Sequence, residues 1–86
     1  MRNIDFQPDA FEQLRYWSEN DVKILKRIFQ ILEDAKRSPF KGIGKPEPLK
    51  NTKGYWSRRI NDEHRLVYKV TDDAIIVASC RFHYDN

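Results

Sequence analysis

Residues 55–70 have the sequence Tyr55-Trp56-Ser57-Arg58-Arg59-Ile60-Asn61-Asp62-Glu63-His64-Arg65-Leu66-Val67-Tyr68-Lys69-Val70, which predicts a β-hairpin turning over Asn61 to Glu63. In that register Arg59 lies opposite Arg65, and directly opposed residues share one face of a sheet. Ser57 then lies opposite Val67 on the same face. The other face is mostly apolar and core-like: Trp56, Arg58, Ile60, Leu66, Tyr68 and Val70.

The two opposed arginines give this hairpin a chemical consequence. Guanidinium groups side by side repel each other unless an anion lies between them, so the register predicts a phosphate site at Arg59 and Arg65. A shift of one residue in the register would separate the two side chains. In the alternative interpretation, either arginine forms a salt bridge with Asp62 or Glu63 in the turn.

The segments around the hairpin predict an α+β fold. Residues 74–81 are apolar on both faces, as in a central strand. Residues 2–6 alternate polar and apolar and predict a first strand. Two amphipathic segments lie between this first strand and the hairpin, and the predicted order is β-α-α-β-β-β. We therefore expect an antiparallel sheet with a helix hairpin packed on one face, the other face being free to hold a site. The length of 86 residues predicts one domain spanning residues 1–86.

Two helices are predicted from their apolar stripes and their end signals. Pro8 suits the first turn of a helix that runs to about Glu19, and Asp21 can cap the next one. Pro39 ends the second helix. The first stripe comprises Phe11, Leu14 and Trp17, and the second comprises Val22, Leu25, Ile28, Phe29, Leu32 and Ala35.

A long loop is predicted between the second helix and the hairpin, over residues 38–54. All three glycines and three of the four prolines fall in it, and loops of this length in compact domains tend to be functional or disordered. Pro46 and Pro48 flank Glu47 and favour an extended, stiff backbone. Such a backbone suits the fixed placement of one side chain, that of Glu47.

The charge distribution favours a polyanionic partner. Residues 41–69 hold eight Lys/Arg against three acidic residues, whereas the whole chain has a net charge of only +3. A concentrated basic stretch is what binding to phosphates requires; a merely solvated cationic surface is the alternative. No apolar run is long enough to span a membrane, and the start of the chain has no signal-peptide pattern. We therefore expect a cytoplasmic protein.

Metal-free RNA cleavage is one chemistry that these residues allow. It needs a base for the ribose 2′-OH, an acid for the departing 5′-oxygen and cations for the phosphorane. The basic segment supplies cations, and Glu47 is its one isolated acid. Either His64 or His83 can complete an acid–base pair with it. A lone glutamate in a loop, however, is more often simply solvated.

Other site types find little support in the sequence. One cysteine and two well-separated histidines give no zinc spacing, so no metal or other cofactor is expected. Cys80 lies in an apolar run and is expected to be a buried structural thiol. Four aromatic residues near the cations can stack on bases. Of these we expect Trp56 and Phe82 to belong to the core, and Tyr84 to contact a base.

Several motifs together resemble one toxin family. They are Lys45-Pro46-Glu47-Pro48-Leu49-Lys50, Gly54-Tyr55-Trp56-Ser57-Arg58-Arg59-Ile60, Glu63-His64-Arg65-Leu66-Val67-Tyr68 and the closing Cys80-Arg81-Phe82-His83-Tyr84, with Tyr16-Trp17 and Arg37-Ser38-Pro39-Phe40 upstream. In this order they are similar to the YoeB (Txe) toxins of the RelE/ParE superfamily, over essentially the whole chain. The resemblance implies a RelE-like fold and a toxin that cuts mRNA in the ribosomal A site. It also implies a YefM-like antitoxin and a homodimer.

The resemblance assigns roles to single residues. It implies that Glu47 is the general base, His83 the general acid and Arg65 the group that stabilises the phosphate transition state. Tyr84 helps to position the substrate. Two further cations, Lys50 and Arg59, support the phosphate, and His64 is a structural histidine. Asp85 and Asn86 follow the tyrosine at which relatives commonly stop, and the charge of Asp85 favours a protonated His83.

Three other functions compete with this interpretation. A relative of the ParE type would poison DNA gyrase, although such proteins generally lack the Glu, Arg, His and Tyr set present here. A second possibility is a module that binds RNA or the ribosome without cleaving. A DNA repressor has the least support, since no helix-turn-helix is visible.

Overall fold

The computed structural model describes residues 2–82, which form a five-stranded sheet with two helices on one face. The helices are α1 (Pro8–Asn20) and α2 (Val22–Arg37), and the strands are β1 (Asn3–Phe6), β2 (Glu47–Pro48), β3 (Tyr55–Arg59), β4 (Arg65–Val70) and β5 (Ala74–Ser79). Their order across the sheet is β1-β5-β4-β3-β2. The predicted α+β architecture is confirmed, with β5 in the sheet interior and β2 as an additional short strand.

The sheet is mixed, and this corrects the expectation of an antiparallel one. β1 pairs parallel with β5, with Ile4 opposite Ile75, while the other three pairings are antiparallel. Alternation of polar and apolar residues places every second side chain on one face in both kinds of sheet. The pattern in residues 2–6 therefore predicted a strand correctly but carried no information on its direction.

The helix ends follow the sequence signals. Pro8 opens α1, where its missing N–H is not needed. The Asp21 carboxylate caps α2 by accepting hydrogen bonds from the backbone N–H groups of Lys23 (3.1 Å) and Ile24 (3.4 Å). α2 ends at Arg37, two residues before Pro39. No helix within residues 2–82 has the length and apolar character to cross a membrane.

The core lies between the helix hairpin and the sheet. Its buried members include Trp17, Ile28, Leu32, Leu66, Tyr68 and Val77. Three residues of the predicted stripes are instead largely exposed: Phe11, Val22 and Phe29. Ile31, which the stripe did not include, is fully buried. The apolar stripe is wider than the strip of helix surface that the sheet covers, so its outer positions face away from the core.

Candidate functional site

The face of the sheet opposite the helices carries three of the residues singled out from the sequence, Glu47, Arg59 and Arg65. Arg59 lies directly opposite Arg65, and Ser57 lies opposite Val67, so the predicted register of the hairpin is confirmed. On the other side of β3, Glu47 is the partner of Ser57. Because directly paired residues share a face, the carboxylate and both arginines belong to this one surface, which we call the open face.

Glu47 is held by the edge strand β2 rather than by a loop. The expectation of a loop throughout residues 38–54 was therefore wrong at Glu47–Pro48, although the extended backbone expected from the flanking prolines is confirmed. The Leu49 N–H donates to the Tyr55 carbonyl at 2.8 Å and closes the pairing. Pro48 is compatible with this position because an edge strand tolerates a missing N–H.

Glu47 and Arg65 form an ion pair across β3. The Arg65 Nη1 atom lies 3.4 Å from the Glu47 Oε1 atom. The arginine side chain is 14% exposed and the carboxylate side chain 49%, so the pair lies at the surface with its acidic member outermost. The alternative, in which Arg59 or Arg65 pairs with Asp62 or Glu63, is not observed within residues 2–82.

Arg59 is paired with Arg65 in the sheet, and Lys50 follows the strand that carries Glu47. Arg59 is exposed, and its backbone N–H donates to the Gly44 carbonyl at 2.6 Å, which ties the preceding loop to β3. Lys50 is exposed and lies two residues beyond β2. The structure therefore brings Glu47, Arg59 and Arg65 onto one surface, and Lys50 follows two residues after the strand that carries Glu47. The opposed guanidinium groups make that surface suitable for an anion.

Arg58 organises the loop that leads to Glu47, a role that the sequence did not reveal. Its side chain is fully buried, and its five N–H donors match five observed contacts. Nε donates to the Tyr68 hydroxyl, and Nη1 donates to the Asp34 carboxylate and the Ile43 carbonyl. Nη2 donates to the carbonyls of Ser38 and Lys41. One guanidinium thus fixes the loop at three backbone positions.

Asp34 and Tyr68 complete this network. The hydrogen bond from Arg58 lowers the pKa of the Asp34 carboxyl, whose Oδ2 atom also accepts the Ile43 N–H at 3.1 Å. Burial raises the pKa of the Tyr68 hydroxyl, which donates to the Pro39 carbonyl at 2.7 Å. A sequence signal for this role was present, because Arg58 falls on the core face of β3, where a charge requires partners.

The end of the described chain packs beside β4. The Phe82 N–H donates to His64 Nδ1 at 2.8 Å, and the Phe82 carbonyl accepts the Arg65 N–H at 3.0 Å. The Phe82 ring is 55% exposed, so its expected place in the core was wrong. Trp56 is partly buried against the core, as expected. His83 and Tyr84 lie outside the described residues, and their roles stay predictions.

The other reactive groups have structural surroundings. Cys80 is fully buried, as predicted, and burial raises the pKa of its thiol to about 12. Such a thiol is a poor nucleophile at neutral pH. Residues 2–82 contain no group of three or more His, Cys, Asp or Glu side chains arranged to hold a metal ion.

Comparisons with known proteins show which family the chain resembles. A family model described as the YoeB-like toxin of bacterial type II toxin–antitoxin systems matches residues 6–84. Toxin YoeB of Escherichia coli O6:H1 is 54% identical over 77 residues, which cover 88% of this chain and 92% of the relative. The YoeB dimer from Staphylococcus aureus is 53% identical with a TM-score of 0.92, covering 96% of this chain and 98% of the other. A heterotetrameric YoeB–YefM complex from the same organism is 52% identical with a TM-score of 0.89, covering 98% and 99%. Sequence and fold agree over nearly the whole length, and the chain belongs to the YoeB-like toxins of bacterial type II toxin–antitoxin systems.

Proposed function

We propose that this protein is a metal-independent, ribosome-dependent endoribonuclease that cleaves mRNA in the ribosomal A site and so inhibits translation. The observation that carries the proposal is the pairing of Glu47 with Arg65 on the open face, with Arg59 directly opposite Arg65. A proton acceptor and two cations therefore lie within reach of one phosphate group. The general acid, His83, is assigned from the family resemblance.

The reaction uses the side chains in a fixed order. The Glu47 carboxylate removes the proton from the ribose 2′-OH, and the resulting oxygen attacks the adjacent phosphorus. Arg65, Arg59 and Lys50 stabilise the charge that grows on the phosphorane oxygens. His83 gives its proton to the departing 5′-oxygen, and Tyr84 positions the substrate. The first product is a 2′,3′-cyclic phosphate end, which hydrolysis converts to a 3′-phosphate.

The geometry of the ion pair supports exchange with a substrate. Charge-assisted N–H···O bonds are typically about 2.7–2.9 Å long, whereas the Arg65–Glu47 contact is 3.4 Å. The Glu47 side chain is also half exposed, whereas the Arg65 side chain is 14% exposed. A phosphate that binds Arg65 in place of the carboxylate would leave Glu47 free to accept a proton.

The partners follow from the same surface and from the relatives. The substrate is mRNA held on the bacterial ribosome, since the basic segment suits a phosphate backbone. The relative from Staphylococcus aureus occurs as a dimer and in complex with YefM, which supports a homodimer and a YefM-like antitoxin for this protein. An acidic segment of the antitoxin would complement the charge of the open face. Such a system operates in the cytoplasm.

Cleavage in a purified translation system tests the proposal. Wild type is compared with Glu47→Gln, which removes the base but keeps the side-chain size, and with His83→Ala. Asp62→Asn serves as the matched control, because it removes an exposed acid from the turn next to the site. Primer extension maps the cut ends. We expect cuts at A-site codons, a loss of about 10²-fold or more in the first two variants, and wild-type activity in the control.

Each remaining outcome points to a different error. A folded wild-type protein that cuts nothing would favour a module that binds without cleaving, or a gyrase-directed toxin. Equal cleavage by wild type, Glu47→Gln and His83→Ala would show that the acid and base were assigned to the wrong residues. Toxicity that persists in both variants without cleavage would move the function to ribosome blocking.

A further inference from the structure

The hydroxyl of Ser57 is buried without a partner. The side chain has no exposed surface, and its Oγ atom makes no hydrogen bond among residues 2–82. Burying a hydroxyl in this way costs free energy, and buried polar side chains in native proteins are normally paired. An alanine would occupy the same place on β3 without that cost. The serine is therefore explained only by a partner that it gains in another state of the protein.

Ser57 lies within the candidate site. It is directly paired with Glu47 of β2 on one side and with Val67 of β4 on the other. Directly paired residues have Cβ atoms about 4.5–5.5 Å apart and share one face of the sheet. The hydroxyl therefore belongs to the open face, next to the carboxylate assigned as the general base.

The ion pair between Glu47 and Arg65 crosses the strand that carries Ser57. Glu47 belongs to β2 and Arg65 to β4, so their contact at 3.4 Å spans β3. A phosphate that binds Arg65 opens this contact, and the half-exposed carboxylate side chain then loses the cation that holds it. A base must lie within about 2.6–3.2 Å of the proton that it removes. A carboxylate that rotates freely meets this condition for only part of the time.

We propose that Ser57 is a positioning residue, whose hydroxyl donates a hydrogen bond to the Glu47 carboxylate once a phosphate has replaced that carboxylate at Arg65. The proposal rests on the nuclease function argued above. A carboxylate has two oxygens that each accept hydrogen bonds, so one oxygen can face Ser57 while the other takes the proton of the ribose 2′-OH. The hydroxyl is unpaired in the free protein because Arg65 then holds Glu47, and it gains its partner in the complex with RNA.

A small set of variants tests whether the hydroxyl acts through Glu47. Ser57→Ala removes only the hydroxyl, whereas Ser57→Thr keeps it. Ser57→Ala is also made in the Glu47→Gln background, where no base remains to be positioned. Ser18→Ala is the matched control, because it removes a serine hydroxyl from the exposed surface of α1, where that hydroxyl donates to the Arg15 carbonyl.

The kinetic readout is single-turnover cleavage of mRNA on programmed ribosomes, measured below the melting temperature of every variant. We expect Ser57→Ala to lower kcat by about tenfold or more, the factor that corresponds to one lost hydrogen bond to a charged group. KM for the ribosome should change by a smaller factor. Ser57→Thr should stay within about threefold of wild type, since it retains the donor, and the control should match wild type. In the Glu47→Gln background, Ser57→Ala should change the rate by less than about twofold, because two residues that act together are not additive.

The double variant decides how the hydroxyl acts. A tenfold loss that appears with Glu47 and disappears with Glu47→Gln is the result expected of a positioning residue. A loss of the same size in both backgrounds would overturn the proposal, because the hydroxyl would then act on the substrate and not through the carboxylate. This comparison holds even if Ser57→Thr does not fold.

Urea unfolding without RNA is the second measurement. We expect Ser57→Ala to unfold at a higher urea concentration than wild type although it cuts more slowly, a combination that a purely structural serine would not give. A loss of stability would show that the hydroxyl is paired in the free protein and would overturn the premise. Wild type that cuts no mRNA would remove the proposed function and, with it, the role of Ser57. Equal kcat in wild type and Ser57→Ala would remove only the role of Ser57.

Discussion

Replacement of the buried Arg58 by lysine should destabilise the fold although it keeps the positive charge. The guanidinium makes five hydrogen bonds, to one hydroxyl, one carboxylate and three backbone carbonyls. An ammonium group has three donors. Arg58→Lys therefore leaves at least two of these acceptors without a protein partner, and a point charge cannot reproduce the fork geometry.

The size of the effect follows from the number of lost bonds. A hydrogen bond to a charged group contributes about 1.5–3 kcal/mol, so two lost bonds correspond to about 3–6 kcal/mol. The carbonyls are only partly buried, and water can replace some of the donors, which favours the lower end, about 3 kcal/mol. A protein of 86 residues has a total stability of about 4–13 kcal/mol, so this is a large fraction. It corresponds to a fall in Tm of about 12–24 °C.

The assay is urea unfolding followed by circular dichroism, with Arg59→Lys as the matched control. Arg59 is the next residue along β3 but is exposed, so its variant should stay within about 0.5 kcal/mol of wild type. A loss below about 1 kcal/mol in Arg58→Lys, or equal losses in the two variants, would refute the idea that this guanidinium holds the loop. Because the loop leads to Glu47, we also expect slower cleavage in Arg58→Lys at temperatures where it remains folded.

Three further predictions concern stability. Gly42→Ala should lower the free energy of unfolding by about 3 kcal/mol or more, because φ is +120° and the added carbon would overlap the Asp34 carboxylate. Gly54→Ala should lower it by only about 1–2 kcal/mol, because φ is +88° but the added carbon enters open space. Urea unfolding of the two variants measures the difference. Ser57→Ala should raise the free energy of unfolding by about 0.5–1 kcal/mol, because the buried hydroxyl has no hydrogen-bond partner among the described residues; a decrease would contradict this. Burial raises the pKa of Cys80 to about 12, so its thiol stabilises the fold fully below the ordinary pKa of about 8.5 and loses that contribution as the pH rises toward 12. The urea midpoint of wild type should therefore fall relative to that of Cys80→Ala as the pH rises from about 9 to 11.

The hairpin was predictable because both of its faces carry information. A turn over Asn61 to Glu63 puts the apolar residues of both strands on the same side, and a slip of one residue would expose all of them. The same constraint places Arg59 opposite Arg65, as the structure confirms. The direction of β1 was not predictable in this way, since alternation is the same in parallel and antiparallel strands.

The sequence predicted which residues belong to the candidate site, but it did not predict the contacts that hold them in place. The extended backbone at Glu47 followed from its two flanking prolines. Its pairing with β3 and its contact with Arg65 depend on residues far apart in sequence, which local patterns do not report. Arg58 was placed on the core face correctly, but its five partners lie 10–24 residues away in the chain. Phe82 was expected in the core, but its ring is 55% exposed and packs against the Arg81 guanidinium at 4.8 Å.

Side chains alternate between the two faces of β3, so the neighbouring Arg58 and Arg59 have different roles. Arg58 points into the core and fixes the loop that leads to Glu47, while Arg59 points to the open face beside Arg65. The start of β4 adds a third task, since His64 and Arg65 hold residue 82 from the opposite side. The loop before β2 and the end of the described chain thus both depend on the segment from Arg58 to Arg65. Changes to its buried members should therefore lower stability and activity together, whereas a change to its exposed cation, Arg59, should lower activity alone.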